Sequence, residues 1–104
     1  MEATYTRLAK VLGATAIEAS GSDVRFAVNG QQGGVLKISF EGHDQRLMAV
    51  LIDANGVTRC AIDVAPVDHV REDASFPGRV TFSSHNMLIA IDSRPSLAIE
   101  ITSA

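Results

Sequence analysis

The sequence is poor in the residues that stabilise small secreted folds and in those that bind polyanions. Cys60 is the only cysteine among 104 residues, which excludes an internal disulfide and is typical of a reducing compartment. There is no tryptophan, and four Phe with one Tyr are the only aromatic residues, so Val, Ile and Leu must supply the core. The two lysines and seven arginines are scattered singly. We therefore expect no nucleic-acid partner, because binding to a phosphate backbone needs clustered basic residues.

Long apolar runs are also missing. The longest mainly apolar run, Leu47 to Ile52, is far shorter than a bilayer span, and no basic region precedes an apolar stretch at the N-terminus. We therefore expect a cytoplasmic protein that begins at its own Met1 and has no membrane role. Apolar residues make up 46% and charged residues 20%, which is the composition of a folded chain. The length predicts a single domain over residues 1–104.

The first thirteen residues are predicted to form a short amphipathic helix. Four apolar residues recur there at the spacing of one helical face: Tyr5, Leu8, Val11 and Leu12. Gly13 is suited to end the helix. Because a helix of about ten residues is marginal alone, its apolar face must pack on another apolar surface.

From Ala14 onward apolar residues alternate with a period of two, and turn residues interrupt the alternation at intervals. This pattern predicts an antiparallel meander of roughly seven to eight strands after the helix. The expected class is therefore α+β, with a curved sheet or partly open barrel, since so many strands in a flat sheet would expose long edges. The predicted strands cover residues 14–19, 23–28, 35–41, 47–52, 57–64, 79–83, 87–92 and 97–102.

The strand from Leu47 to Ile52 differs from its neighbours because both of its faces are apolar. We predict that it is central and covered on both sides, with the N-terminal helix over its second face. Asn55-Gly56, which follows it, is the strongest hairpin signal, because these residues tolerate the positive φ that tight turns need. The charged residues 67–78 are predicted to form a surface loop.

Candidate metal ligands are dispersed. Each of the three histidines lies in a predicted loop next to a polar residue: His43, His69 and His85. Together with carboxylates they could bind zinc if the fold brought the loops together. None shows the HxH or HxxxH spacing that marks a metal site. We assign no metal and leave open whether the histidines converge.

A catalytic nucleophile is equally poorly supported. Cys60 alternates with Ile62 and Val64, so it is predicted to face the core, where a thiol behaves as a small apolar group. No serine has the Gly-x-Ser-x-Gly spacing, and the glycines between residues 30 and 34 match no phosphate-binding loop. We therefore assign no catalytic residue and no cofactor, and expect a protein that is not an enzyme.

Residues 73–78 fit the pattern DxSxxG, which resembles half of the cyclic-dinucleotide signature of PilZ domains, themselves small β-barrels. The arginine half of that signature is missing, because Arg59 and Arg71 lie twelve residues apart. The resemblance therefore implies no ligand. The alternative to a protein-binding function is a small-ligand or nucleotide-binding barrel with Arg59, Arg71 and Ser75 near its mouth.

The acidic charge is concentrated in one region. The whole net charge of -3 lies in residues 43–78, which carry six carboxylates and three arginines. The acidic charge is densest in the predicted loop from Asp68 to Asp73. One interpretation of this segment is an ordinary solvated surface loop. As a functional feature it is an acidic recognition patch with an apolar anchor that attracts a basic protein. The predicted partner-binding residues are Asp68, His69, Arg71, Glu72, Asp73 and Phe76.

These features favour a small non-catalytic binding protein of the bacterial cytoplasm. An immunity or inhibitor protein that neutralises a basic toxin or enzyme by occlusion has this profile. Strand addition at an exposed sheet edge is a second possible binding mode. A homo-oligomer fits any of these functions, because the doubly apolar strand offers a self-complementary interface.

Overall fold

A computed structural model describes residues 2–103 and the side chains of residues 4–103. One helix is followed by nine antiparallel strands in two sheets. The elements are α1 (Glu2–Val11), β1 (Ala16–Ser20), β2 (Asp23–Asn29), β3 (Val35–Glu41), β4 (Arg46–Ile52), β5 (Thr58–Val64), β6 (Asp68–Glu72), β7 (Arg79–Ser84), β8 (Met87–Asp92) and β9 (Ala98–Ser103). The first sheet contains β1 to β5 and the second contains β6 to β9, each in chain order.

The predicted α+β class and antiparallel meander are confirmed, with one strand more than expected. Every neighbouring pair of strands within each sheet is antiparallel, and the described strands close into no barrel. The chain divides its strands between two sheets instead of curving a single one. The helix is predicted to include Met1, and that residue lies outside the described range.

The helix ends as the sequence predicts. Gly13 has a φ of 80°, the left-handed conformation that glycine adopts without a steric penalty. Its N–H donates to the Lys10 carbonyl at 3.0 Å, and the Ala14 N–H donates to the Ala9 carbonyl at 2.9 Å. This pair of bonds is a Schellman motif, which satisfies carbonyls that the helix leaves free.

The core lies between α1 and the facing surfaces of the two sheets, which we call the inner faces. The ring of Tyr5 stacks on that of Phe40 with centroids 3.5 Å apart. The buried residues of the helix are Tyr5, Leu8, Ala9 and Leu12; those of the first sheet are Val24, Phe26, Val28, Leu36, Ile38, Phe40, Leu47 and Ala49; those of the second are Val80, Phe82, Ile89 and Ile91. One apolar cluster therefore joins the helix to both sheets.

The prediction that α1 covers the second face of β4 is wrong. α1 packs against β1 and β2 and also against β6 and β7, so it lies on the inner side of the first sheet. Leu47 and Ala49 of β4 are buried on that side, whereas Met48, Val50 and Ile52 point to the outer face and are only half-buried. Helix and second sheet therefore both pack on the inner face of the first sheet.

The predicted loop at residues 68–73 is also corrected, because Asp68 to Glu72 form the edge strand β6. Its charged composition looks like that of a loop. An edge strand tolerates that composition because one of its sides is solvated, and charges there discourage pairing with other chains. β6 directly follows Val67, whose N–H donates to the Gln45 carbonyl at 2.9 Å.

The hairpin predicted at Asn55-Gly56 joins β4 and β5. Gly56 has a φ of 82°, and it is the residue of this turn with a positive φ. The Asp53 carboxylate accepts hydrogen bonds from the N–H groups of Asn55 and Val57, both at 2.9 Å. The turn is therefore held by a side chain as well as by the glycine conformation.

Candidate protein-binding surfaces

The first candidate surface is formed by β6 and the loop Asp73–Gly78, which we call the acidic edge. β6 pairs on one side with β7, and none of the other described strands pairs with it. Its pairing is interrupted between Asp68 and Arg71, where His69 has a φ of 49°. This bulge places Asp68 opposite Ser83 and Arg71 opposite Thr81, on the face of the second sheet that points away from the core.

In the acidic edge, no carboxylate is paired with an arginine or lysine among the described side chains. Asp53 binds Arg59 at 2.7 Å, and Asp63 binds Arg46 through two hydrogen bonds of 2.7 and 3.1 Å. Asp68, whose side chain is 76% exposed, has only His69 at 3.6 Å. Across the described side chains, neither Glu72 nor Asp73 has a basic group within 4.0 Å.

The internal pairs also set the protonation of their members. Hydrogen bonds from the Val57 and Asn55 N–H groups and from Arg59 lower the pKa of the Asp53 carboxyl below its usual range. The hydrogen bond from Arg46 likewise lowers the pKa of Asp63. Both carboxylates are therefore engaged within the first sheet, whereas Asp68 and Glu72 of the acidic edge are exposed.

Phe76 is held in place although it is 51% exposed. Its ring lies over the guanidinium of Arg79, 4.1 Å from its centroid, and Arg79 is itself fixed to Asp92 by hydrogen bonds of 2.6 and 3.0 Å. The Phe76 N–H donates to the Asp73 carbonyl, and the Phe76 carbonyl accepts from the Arg79 N–H. A solvent-facing aromatic ring with so little freedom loses little entropy on binding, which is a property of interface anchors.

The DxSxxG residues have a structural role in this loop. The Ser75 N–H donates to the Asp73 carboxylate at 2.9 Å, and the backbone bonds of the loop connect Asp73 with Arg79. This is an Asx turn, in which an aspartate caps the backbone two residues ahead. The pattern that resembles half of the PilZ signature therefore forms the turn that presents Phe76.

The turns that contain His43 and His85 both contact the connection between β5 and β6, whereas His69, predicted in a loop, lies in β6. Val67 bonds to Gln45 in the turn that contains His43, and His85 Nε2 lies 3.0 Å from the Ala65 carbonyl oxygen. Over the described range, no group of three His, Cys, Asp or Glu side chains is placed to hold a metal ion. Cys60, expected in the core, is half-buried on β5.

The second candidate surface was not predicted as a site. A groove of about 400 Å³ lies on the outer face of the first sheet, with Met48, Val50, Ala16 and Ala27 on its floor. Its charged lining residues are Glu18, Arg25 and Lys37. We call it the outer groove. The sequence signal for it is the doubly apolar strand β4, which the sequence pattern predicts to be covered on both sides.

The residues suggested for a ligand-binding barrel do not line this groove. Arg59 lies on β5 and binds Asp53, Arg71 lies on β6 in the other sheet, and Ser75 belongs to the Asx turn. None of the three borders the outer groove. The alternative of a small-ligand receptor therefore has no support from their placement.

Comparisons with known proteins identify a fold relative but no sequence relative. No protein family matches the chain, and no curated protein matches it. A chain of a solved contact-dependent growth inhibition toxin–immunity protein complex from Klebsiella pneumoniae 342 has a similar fold, with a TM-score of 0.69 and 13% sequence identity. The similarity covers 95% of this chain and 92% of that one. No helix within residues 2–103 is both long and apolar enough to cross a membrane.

Proposed function

We propose that this chain is a non-catalytic protein-binding module of the bacterial cytoplasm, an immunity or inhibitor protein that neutralises a basic toxin by occluding it. The observation that carries the proposal is the fold, which is shared over nearly the whole of both chains with a member of a toxin–immunity protein complex. The net acidic charge, which lies within residues 43–78, supports the inhibitor function, because a basic partner is attracted to it.

The acidic edge is the proposed docking surface. Asp68, His69 and Arg71 lie on the exposed strand β6, Glu72 follows on the opposite face of that strand from Arg71, and Asp73 begins the loop that presents Phe76. Carboxylates engage Lys or Arg of the toxin and accelerate the encounter, while the fixed ring of Phe76 fills an apolar pocket. Strand addition is disfavoured at β6, because its bulge and charges interrupt a regular edge.

The first experiment asks which member of a toxin–inhibitor pair this chain resembles. Expressed alone in a bacterial host, an inhibitor leaves growth unchanged, and the native protein captured with it from its own host is basic and arrests growth when expressed without it. Growth arrest caused by this chain alone would identify it as a toxin and overturn the proposal.

The docking surface is tested with the captured partner by charge reversal. We expect Glu72→Lys with Asp73→Lys to preserve the circular dichroism spectrum and to slow association about tenfold at low salt, with a smaller effect at high salt. The matched control is Asp44→Lys with Glu100→Lys, which changes the net charge equally at exposed positions outside the acidic edge. Equal on-rates for the two double variants would show that the acidic edge is not the docking surface.

A further inference from the structure

The outer groove combines an apolar floor with unpaired positive charge. Arg25 and Lys37 are exposed, and among the described side chains neither has a carboxylate within 4.0 Å. They lie on adjacent strands, since Arg25 pairs with Ser39 and Lys37 with Val50. Glu18, which lies opposite Arg25 in the register of β1 and β2, is the acidic residue that lines the groove, so the lining carries two cations and one carboxylate. A basic partner does not suit this lining, so the occupant should present an apolar side chain beside carboxylates.

The chain itself carries a segment of that chemistry. In the loop of the acidic edge, Phe76 is half-exposed and fixed over Arg79, and Glu72 and Asp73 precede it. One face of the ring rests on the guanidinium and the rest of the ring is open to solvent. A groove of about 400 Å³ is large enough to receive an aromatic ring. The loop and the groove belong to different sheets, so they are separate surfaces of one molecule.

We propose that the outer groove of one copy binds the Phe76 loop of a second copy. Phe76 packs over Met48 and Val50, and Glu72 and Asp73 approach Arg25 and Lys37. The association is head-to-tail, because each copy uses one surface and leaves the other free. A single loop buries less area than a standard stable interface, so the association is weak and depends on concentration.

This self-association goes beyond the proposed function and does not depend on it, because it is measured on the isolated protein. The proposed self-association and the proposed toxin binding both use the acidic edge. A toxin bound at the acidic edge occupies Phe76, so partner binding and self-association exclude each other. The toxin-bound form is therefore expected to carry an empty outer groove.

The test is sedimentation velocity of the full chain from about 10 μM to 1 mM, a range in which weak association becomes visible. We expect the wild-type chain to associate as its concentration rises. Phe76→Ser in the loop and Val50→Asp in the groove should each weaken association at least tenfold. Leu88→Ser is the matched control, since Leu88 is 45% exposed on β8 and belongs to neither surface. It should associate as the wild type does.

Mixing the variants distinguishes head-to-tail docking from other modes. The Val50→Asp chain keeps its loop and the Phe76→Ser chain keeps its groove, so the mixture should form a dimer of one copy of each. A dimer that packs two grooves face to face would not be rescued by mixing.

Three results would overturn the proposal: a chain that is monomeric throughout, association that either variant leaves intact, or no rescue on mixing. If Val50→Asp does not fold, Lys37→Glu replaces it, because Lys37 is exposed and its substitution leaves the apolar floor intact. That variant should associate with itself at least tenfold more weakly, because charge repulsion replaces attraction at its groove. Its mixture with Phe76→Ser should recover the dimer, because the intact loop of Lys37→Glu docks in the intact groove of Phe76→Ser. A chain whose loop carries Glu72→Lys and Asp73→Lys should also form a dimer with Lys37→Glu.

Discussion

The two faces of the first sheet come from the same strands and are both rich in apolar residues, yet only one is covered. On the inner face Phe40 and Leu36 are fully buried against α1 and the second sheet. On the outer face Met48 and Val50 are half-buried and have charged neighbours. The contrast shows that alternation in a sequence predicts a strand and its two faces, but the covering of each face depends on distant elements.

The largest expected effect is a difference in stability between two single variants, each of which truncates a residue on one face of the first sheet. Phe40→Ala should lower the free energy of unfolding by about 3–5 kcal/mol, because it leaves a cavity beneath the stacked ring of Tyr5. Met48→Ala should cost less than about 1 kcal/mol, since its side chain is partly solvated already. Urea unfolding of both variants measures the difference. Equal losses would mean that the outer face is covered in solution, which would also remove the outer groove as a docking surface.

Low pH should affect the two faces of the first sheet differently. Carboxylates lie on the outer face and in the turns and not among the buried core residues. The pKa values of Asp53 and Asp63 are lowered in the folded protein by hydrogen bonds from Val57 and Arg46, respectively. Their contribution to stability is therefore complete above the usual carboxyl value of about 4 and is lost as the pH falls below it.

We expect the resulting loss of stability to be smaller than that of Phe40→Ala and to be visible as a lower Tm between about pH 4 and pH 2. Asp53→Asn keeps an oxygen that can accept from both backbone N–H groups, but it does not titrate, so its Tm should fall less steeply in this range. Asp44→Asn is the control, because its exposed carboxylate has no ion-pair partner among the described residues. An identical acid profile for Asp53→Asn and wild type would refute the role of the turn.

The smallest effect is expected at Tyr5, the one tyrosine of the sequence. Its hydroxyl is buried and has no hydrogen-bond partner in the described structure. Tyr5→Phe should therefore change stability by less than about 1 kcal/mol, in the stabilising direction, because it removes an unsatisfied polar group and keeps the stacked ring. Urea unfolding at neutral pH measures this. A loss of more than about 1 kcal/mol would show that the hydroxyl has a partner in solution.

Stability at alkaline pH is a second test of the burial of the Tyr5 hydroxyl. Burial raises the pKa of the phenol, so the folded protein holds the proton more tightly than the unfolded chain. The stability that this provides is complete below about pH 10 and is lost as the pH rises further. Wild type should lose stability there more steeply than Tyr5→Phe, and an absorbance titration should show the phenol ionising together with unfolding.

Local features of the fold could be predicted because their causes are local. The helix has its apolar spacing and Gly13, and the hairpin after β4 has Gly56, so both were recognised from short stretches of sequence. The position of α1 could not be predicted, because it is set by Phe82 and other residues of β7 far along the chain. β6 was mistaken for a loop because a solvated edge strand and a loop favour the same charged residues.

The candidate surfaces were predictable to different degrees. The acidic residues and Phe76 could be found from charge counting and from the exposed position of a lone aromatic residue. That Arg79 and Asp92 hold the Phe76 ring could not, since this depends on the pairing of β7 with β8. The outer groove was missed because its apolar floor resembles a buried strand in sequence.

The shared core of α1 also constrains the order of folding during synthesis. The helix leaves the ribosome before the strands of this fold, whereas Phe82 and Ile91, which help to enclose Tyr5 and Leu8, follow only with β7 and β8. Until β7 and β8 emerge, the apolar side of the helix has only half of its final surroundings. The contacts that complete the core therefore have large sequence separation, which slows folding and leaves the nascent chain dependent on protection from aggregation.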